Sequence, residues 1–196
     1  MELWDLYDEN RVKLHRTMVR GAAQPEGTFR LVVHVCVFNS GGELLIQQRQ
    51  PFKAGWSNLW DVSAGGSAIA GETSAQAARR ELFEELGLLL PSEQFQTALT
   101  VNFEGGFDDF YLIECDVNPS ELRLQPEEVQ AACWADRERV LQMLADGSFL
   151  PLSPHFVELL FFYAPRHGNP DCLGHHTCNR EVKQSDAVRK DCIASC

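Results

Sequence analysis

Glu81, Glu84 and Glu85 stand at positions i, i+3 and i+4 of a segment that reads as helix. That spacing gathers the three carboxylates on one helical face, where like charges cost roughly 0.2–0.5 kcal/mol per pair. Arg80 offsets part of the repulsion through Glu84, four residues on, and leaves Glu81 and Glu85 facing each other. Two readings are open for such a face. It is a solvated acidic surface, or it is a site for a hard divalent cation, Mg²⁺ or Mn²⁺, that takes oxygen ligands, keeps several waters and is completed by a substrate's phosphates.

The helix carrying these groups is expected from about Ser74 to Leu86. Thr73 with Gln76 three residues later forms a capping-box pattern, and Gly87 supplies the left-handed stop. Ala75, Ala78, Leu82 and Leu86 make the core-facing stripe, with the glutamates pointing away from it. Upstream, Leu31–Phe38 is almost continuously apolar and β-branched, as in a strand covered on both faces. Asn39-Ser40-Gly41-Gly42 turns the chain into a second strand at Glu43–Arg49. A loop from Gln50 to Asn58 precedes one short strand at Trp60–Ala64, which ends at Gly65-Gly66. Further strands are expected at Phe95–Phe103, Phe107–Cys115 and Val129–Trp134. Two more helices are expected, at Asp136–Ala145 and from Ser153-Pro154 to about Tyr163.

The 196 residues suit one domain with a tail, and 44% are apolar, enough for a core. The formal charge of −11 argues against an extended nucleic-acid surface or an anionic membrane as partner. It leaves room for a small phosphorylated substrate, because a bound cation reverses the sign locally. No apolar run approaches the ~20 residues of a membrane span. The acidic start, Met1-Glu2-Leu3-Trp4-Asp5, lacks a basic-then-apolar leader, so a reducing cytoplasm is expected. Of seven cysteines, Cys36, Cys115 and Cys133 read as buried small hydrophobes, and four lie in the last 25 residues. The spacings Cys172-x5-Cys178 and Cys192-x3-Cys196 lack the tight knuckle of structural zinc sites, which favours a loose tail.

From Gly66 the chain reads Gly-x5-Glu72-x7-Arg80-Glu81-Leu82-x-Glu84-Glu85-x-Gly87-Leu88. At average usages of about 6%, seven fixed residue types match by chance on the order of 10⁻⁹ per start. The segment resembles the Nudix box at every defined position. The resemblance implies an α/β Nudix fold: an α/β/α sandwich around a mixed β-sheet, with the box as loop–helix–loop. It also implies divalent-metal-dependent hydrolysis of a nucleoside diphosphate linked to another moiety, by water attack on phosphorus. Residues 1–27 would be an N-terminal arm, 28–164 the Nudix domain and 165–196 a Cys/His-containing tail. By the same resemblance Glu81, Glu84 and Glu85 are metal ligands, joined by the carbonyl of Gly66. Arg80 orients them and Glu72 supports the loop. The general base varies in this family; Asp108 and Asp109 are the outer candidates, with Glu104 behind them. Family members are often dimers, though no residue here compels a homodimer.

A narrower resemblance concerns Gln48-Arg49-Gln50-Pro51-Phe52-Lys53 and Gly55-Trp56-Ser57-Asn58, which are similar to the branch containing type 1 isopentenyl-diphosphate isomerase and its hydrolase-like relatives. It implies that Arg49 and Lys53 grip a diphosphate. The isomerase's catalytic cysteine and a metal histidine correspond here to Asp61 and Ser63, and Arg30 stands at the place of another metal histidine. Isomerisation therefore lacks its acid–base apparatus. His34 reads as a core histidine, and Trp4, Phe52, Trp56 and Trp60 as packing residues that could otherwise stack on a base. A Nudix-fold nucleotide-binding module without turnover is the alternative from a different class.

Overall fold

The computed structural model describes residues 1–164, so the zinc question at the C-terminal Cys/His tail lies outside the described residues. A mixed sheet is built on β3 (Arg30–Phe38), which runs parallel to β8 (Gly106–Glu114). β4 (Leu44–Arg49) follows β3 through the Asn39–Glu43 turn, and β9 (Val129–Ala135) pairs antiparallel with β4. β7 (Thr97–Phe103) closes the far edge on β8. One face carries α1 (Ser74–Leu86), whose Ala77, Ala78, Leu82 and Leu86 pack with Val33, Val35, Val37 and Tyr111. The other face carries α2 (Arg137–Ala145) and α3 (Pro154–Tyr163) over Cys36, Phe38, Ile46 and Phe110. Period-two alternation along β3 and β8 divides their side chains between these two cores. The α/β Nudix fold expected from the sequence is the fold observed.

The caps read from sequence are in place. Thr73 Oγ1 accepts from Gln76 N–H at 3.3 Å, and Gln76 Oε1 accepts from Thr73 N–H at 2.8 Å. Gly87, at φ +74°, ends α1 with its N–H on Phe83 O. Other expectations change. The single strand at Trp60–Ala64 is two: β5 (Trp60–Asp61) pairs with β4, and β6 (Ala64–Ser67) crosses to pair with β3. Strands β3 and β4 meet in register only at Phe38–Leu44, and the chain crosses where they separate. Ser63 bridges the gap, its Oγ donating to Leu45 O at 2.6 Å and accepting from Val37 N–H at 2.8 Å. Cys133 is exposed on β9, opposite Ile46 of β4; Cys36 is buried and Cys115 half-buried.

The first 27 residues, expected from the sequence as an N-terminal arm, carry two strands. They hold a hairpin of β1 (Leu3–Tyr7) and β2 (Lys13–Val19), bonded to the body by reciprocal Tyr7–Phe29 hydrogen bonds of 2.8 Å. Ala70 N–H donates to Leu3 O and Gly71 N–H to Asp5 Oδ2, both at 2.7 Å. The hairpin thus clamps the loop that leads into α1.

Candidate active site

A cleft of about 760 Å³ opens where β3 and β4 separate, and α1 presents its acidic face to it. The cleft gathers Glu81, Glu84, Glu85, Arg80 and Gly66 with Arg49 and Lys53. Asp108 also lines it, and Asp109 does not. On β8 these neighbours point to opposite faces. Asp109 is fully buried on the α1 side, where Arg11 Nη1 donates to its Oδ1 at 2.9 Å, Thr100 Oγ1 to the same oxygen at 2.7 Å, and Ser74 Oγ to its Oδ2. Glu104 sits exposed in the β7–β8 turn, outside the residues that line the cleft.

Arg80 uses all five of its N–H donors. Its fork meets Glu72, Nε to Oε1 at 2.7 Å and Nη2 to Oε2 at 3.0 Å. Nη1 donates to Glu81 Oε1 at 2.8 Å and to Glu84 Oε2 at 3.0 Å, while Nη2 also reaches Ser67 O at 3.2 Å. Glu72 Oε2 in turn accepts from Ile69 N–H, so the loop and the first turns of α1 are tied to one cation. The clustered carboxylates hold the guanidinium protonated against its desolvation, and burial pushes the Glu81 carboxyl up despite Arg80 beside it.

Glu85 departs from the outward-facing position read from the helical wheel. It is 4% exposed, lying at the seam between the acidic face and the apolar stripe. Its Oε2 accepts from Gln47 Nε2 at 3.2 Å and from Gly65 N–H at 3.3 Å. Burial, with Glu81, Asp61 and Glu128 nearby, drives its carboxyl well above the usual range. Gln47 Oε1 is buried without a hydrogen-bond partner among the described residues. Asp61 is likewise buried and its carboxyl is pushed up by desolvation.

Among the described residues, no three acidic, His or Cys side chains are drawn together as a metal cluster, because Arg80 holds Glu81 and Glu84 while Gln47 and Gly65 hold Glu85. The donor set nevertheless fits a hard cation: three carboxylates lie on one side of a cleft, and one of them is buried and short of neutralising charge. The cradle is also sterically specific. A Cβ on Gly66 would fall 2.5 Å from Glu81 Cδ, so only glycine lets that carboxylate lie against β6.

Two cations at the end of β4 face the same space. Arg49 lies 3.8 Å from Asp61 and donates from Nε to Gly55 O at 3.4 Å, and Lys53 is ion-paired with Glu128. His34 is in the cleft wall rather than the core, its Nε2 3.4 Å from Asp108 Oδ1 and its ring stacked on Phe110 at 4.6 Å. Trp4 and Trp56 line the cleft, whereas Phe52 is outside it and Trp60 packs on the α2–α3 side. Sequence reasoning missed Glu2 and Arg20, which reach the cleft because the N-terminal hairpin forms part of its wall, and it did not place Arg30, the first residue of β3, in the cleft.

A profile of the NUDIX domain matches residues 28–169. The chain belongs to the Nudix family: it is a hydrolase of a diphosphate-linked substrate, in a family that generally requires a divalent metal. Among particular proteins, it is 47% identical over 161 residues to Uncharacterized Nudix hydrolase lin0387 of Listeria innocua, spanning 82% of this chain and 94% of that one. An isopentenyl-diphosphate Δ-isomerase of Streptomyces coelicolor is 32% identical over 154 residues, 75% of this chain and 77% of the isomerase. The crystal structure of DR0079 from Deinococcus radiodurans superposes with a TM-score of 0.64 at 25% identity, covering 81% of this chain and 97% of that one. Among the described residues, no helix is long and apolar enough to cross a membrane.

Proposed function

We propose that the protein is a Mg²⁺- or Mn²⁺-dependent diphosphohydrolase of the isopentenyl-diphosphate-isomerase-like branch, cleaving the pyrophosphate bond of a nucleoside diphosphate linked to another moiety or a related organic diphosphate. One observation carries the reading. The carboxylates of Glu81, Glu84 and Glu85 meet in a single cleft with Arg49 and Lys53, so acidic metal donors and diphosphate-binding cations face the same space. When bound, the cation supplies charge neutralisation for the pyrophosphate and an acidified water. Glu81, Glu84 and Glu85 would hold it, with the carbonyl of Gly66. Arg80 keeps Glu81 and Glu84 in place through the fork it shares with Glu72. Arg49 and Lys53 grip the diphosphate, exchanging their contacts with Asp61 and Glu128 for phosphate oxygens. A box glutamate takes the proton of the attacking water, or Asp108 does; its position in the cleft favours it over Asp109 as the outer carboxylate.

The isomerase reading is disfavoured by the same site. Asp61 is buried beneath Arg49, and Ser63 spends its hydroxyl joining β3 to β4. The test incubates purified protein with nucleoside diphosphate derivatives and isopentenyl diphosphate in H₂¹⁸O with Mg²⁺ or Mn²⁺. We expect ¹⁸O in a phosphate product, and loss of turnover in Glu84→Gln. Dimethylallyl product would replace the reading with isomerisation. Binding without turnover of any compound would replace it with a sensor.

A further inference from the structure

Arg20, Arg30, Arg49, Lys53 and Arg80 bring positive charge to the cleft. Four are matched by carboxylates: Arg20 by Glu2 at 3.0 Å, Arg49 by Asp61, Lys53 by Glu128, and Arg80 by Glu72, Glu81 and Glu84. Arg30 has no carboxylate partner among the described residues; its one polar side-chain contact is Nη1 to Ser67 Oγ at 3.4 Å. A guanidinium offers five donors, so most of its hydrogen-bonding capacity is unspent.

The chain builds a frame around this cation. The Arg30 Cζ lies 5.1 Å from the centre of the Trp4 ring and 5.5 Å from that of Phe103. Trp4 is fixed by its Nε1–H on Glu2 Oε1 at 2.7 Å, and Glu2 is fixed by Arg20. Phe103 can reach Arg30 because Gly106 has no side chain: a Cβ there would lie 2.6 Å from Arg30 O and strike the Phe103 ring. Rings flanking a guanidinium hold the cation without consuming its donors, whereas a carboxylate would neutralise it. Arg30 opens β3 and Arg49 closes β4, the two strands that part at the cleft, while Glu85 lies between them on Gln47 and Gly65. A guanidinium thus stands at each of these two strands, and of the two only Arg30 lacks a carboxylate partner among the described residues.

We propose that Arg30 is a specificity-determining residue that binds an oxyanion of the substrate beyond the cleaved diphosphate, so that substrates carrying a third phosphate or a carboxylate there are preferred. This deepens the diphosphohydrolase reading and rests on it for the placement of the substrate. The test uses three hydrolysis-resistant probes, methylenediphosphonates bearing a neutral methyl ester, a carboxymethyl ester or a third phosphate, titrated calorimetrically with Mg²⁺. We expect wild type to bind at least one anionic probe about tenfold or more tightly than the neutral one, through a charge-assisted fork. The tighter anionic probe identifies phosphate or carboxylate as the group bound. Arg30→Met should erase the preference while the neutral probe's Kd stays within about twofold, and Arg30→Lys should retain part of it. Arg30→Gln provides a second neutral replacement should the methionine variant fail to fold. Equal affinity for all three probes, or a preference that survives loss of the charge, overturns the proposal. Turnover of the hydrolysable counterparts is followed alongside. Preference without turnover would remove the hydrolase reading and leave Arg30 as an anion site; turnover without preference would do the reverse.

Discussion

Replacing Glu85 by glutamine is expected to stabilise the metal-free protein while removing its activity. The carboxyl is 4% exposed, raised by burial first and then by Glu81, Asp61 and Glu128. Because the folded-state value is raised, the native state binds more protons than the unfolded chain between the two values. Wild type therefore holds its full stability below the unfolded value and loses it as pH rises through the folded one. Glutamine resembles the protonated acid, keeps an acceptor for Gln47 Nε2 and Gly65 N–H, and brings a donor beside the unpartnered Gln47 Oε1. Removing the buried charge at so little cost in hydrogen bonding should give about 1–2 kcal/mol. For a chain of this size that is roughly 2–8 °C in Tm. The measurement is thermal unfolding in a chelator at pH 5 and pH 8. Glu85→Gln should match wild type at pH 5 and exceed it at pH 8. Added Mg²⁺ should narrow the gap by raising wild type alone. Turnover should fall by about 10³-fold, as expected for losing a contribution of several kcal/mol. A variant less stable than wild type at pH 8 without metal would refute the claim that this carboxylate is an electrostatic liability in the folded chain.

Two other substitutions separate the site from its scaffold. Gly66→Ala places a methyl against the Glu81 carboxylate, the mobile end of a side chain, so the protein should fold while kcat/KM drops on the order of 10²-fold, the scale of an ångström's misplacement; circular dichroism and steady-state kinetics check both halves. Asp109→Ala strips Arg11, Ser74 and Thr100 of a fully buried acceptor and should cost about 1–3 kcal/mol. Denaturant titration reads that loss, and turnover of the folded variant should stay near wild type, whereas an outer general base at this position would cost activity first.

The helix with its Thr73–Gln76 box and Gly87 stop, the Arg80–Glu84 pair and most strands follow from residues a few positions apart, so sequence alone determined them: capping and i, i+4 geometry are local. The departures share a cause. Whether Glu85 is a surface charge or a buried one depends on Gln47 and Gly65, 38 and 20 residues away, closing over it. Asp108 and Asp109 are adjacent in the chain and necessarily face opposite ways, yet only the packing of α1 on one side of the sheet decided which of them meets the cleft. The N-terminal segment has weak apolar periodicity, and it became a cleft wall only because Tyr7–Phe29 and Leu3–Ala70 hydrogen bonds dock it on the body. Sequence spacing determined which groups share one turn of helix. Tertiary structure decided which of them are desolvated, because a charge loses its water only when distant segments meet around it.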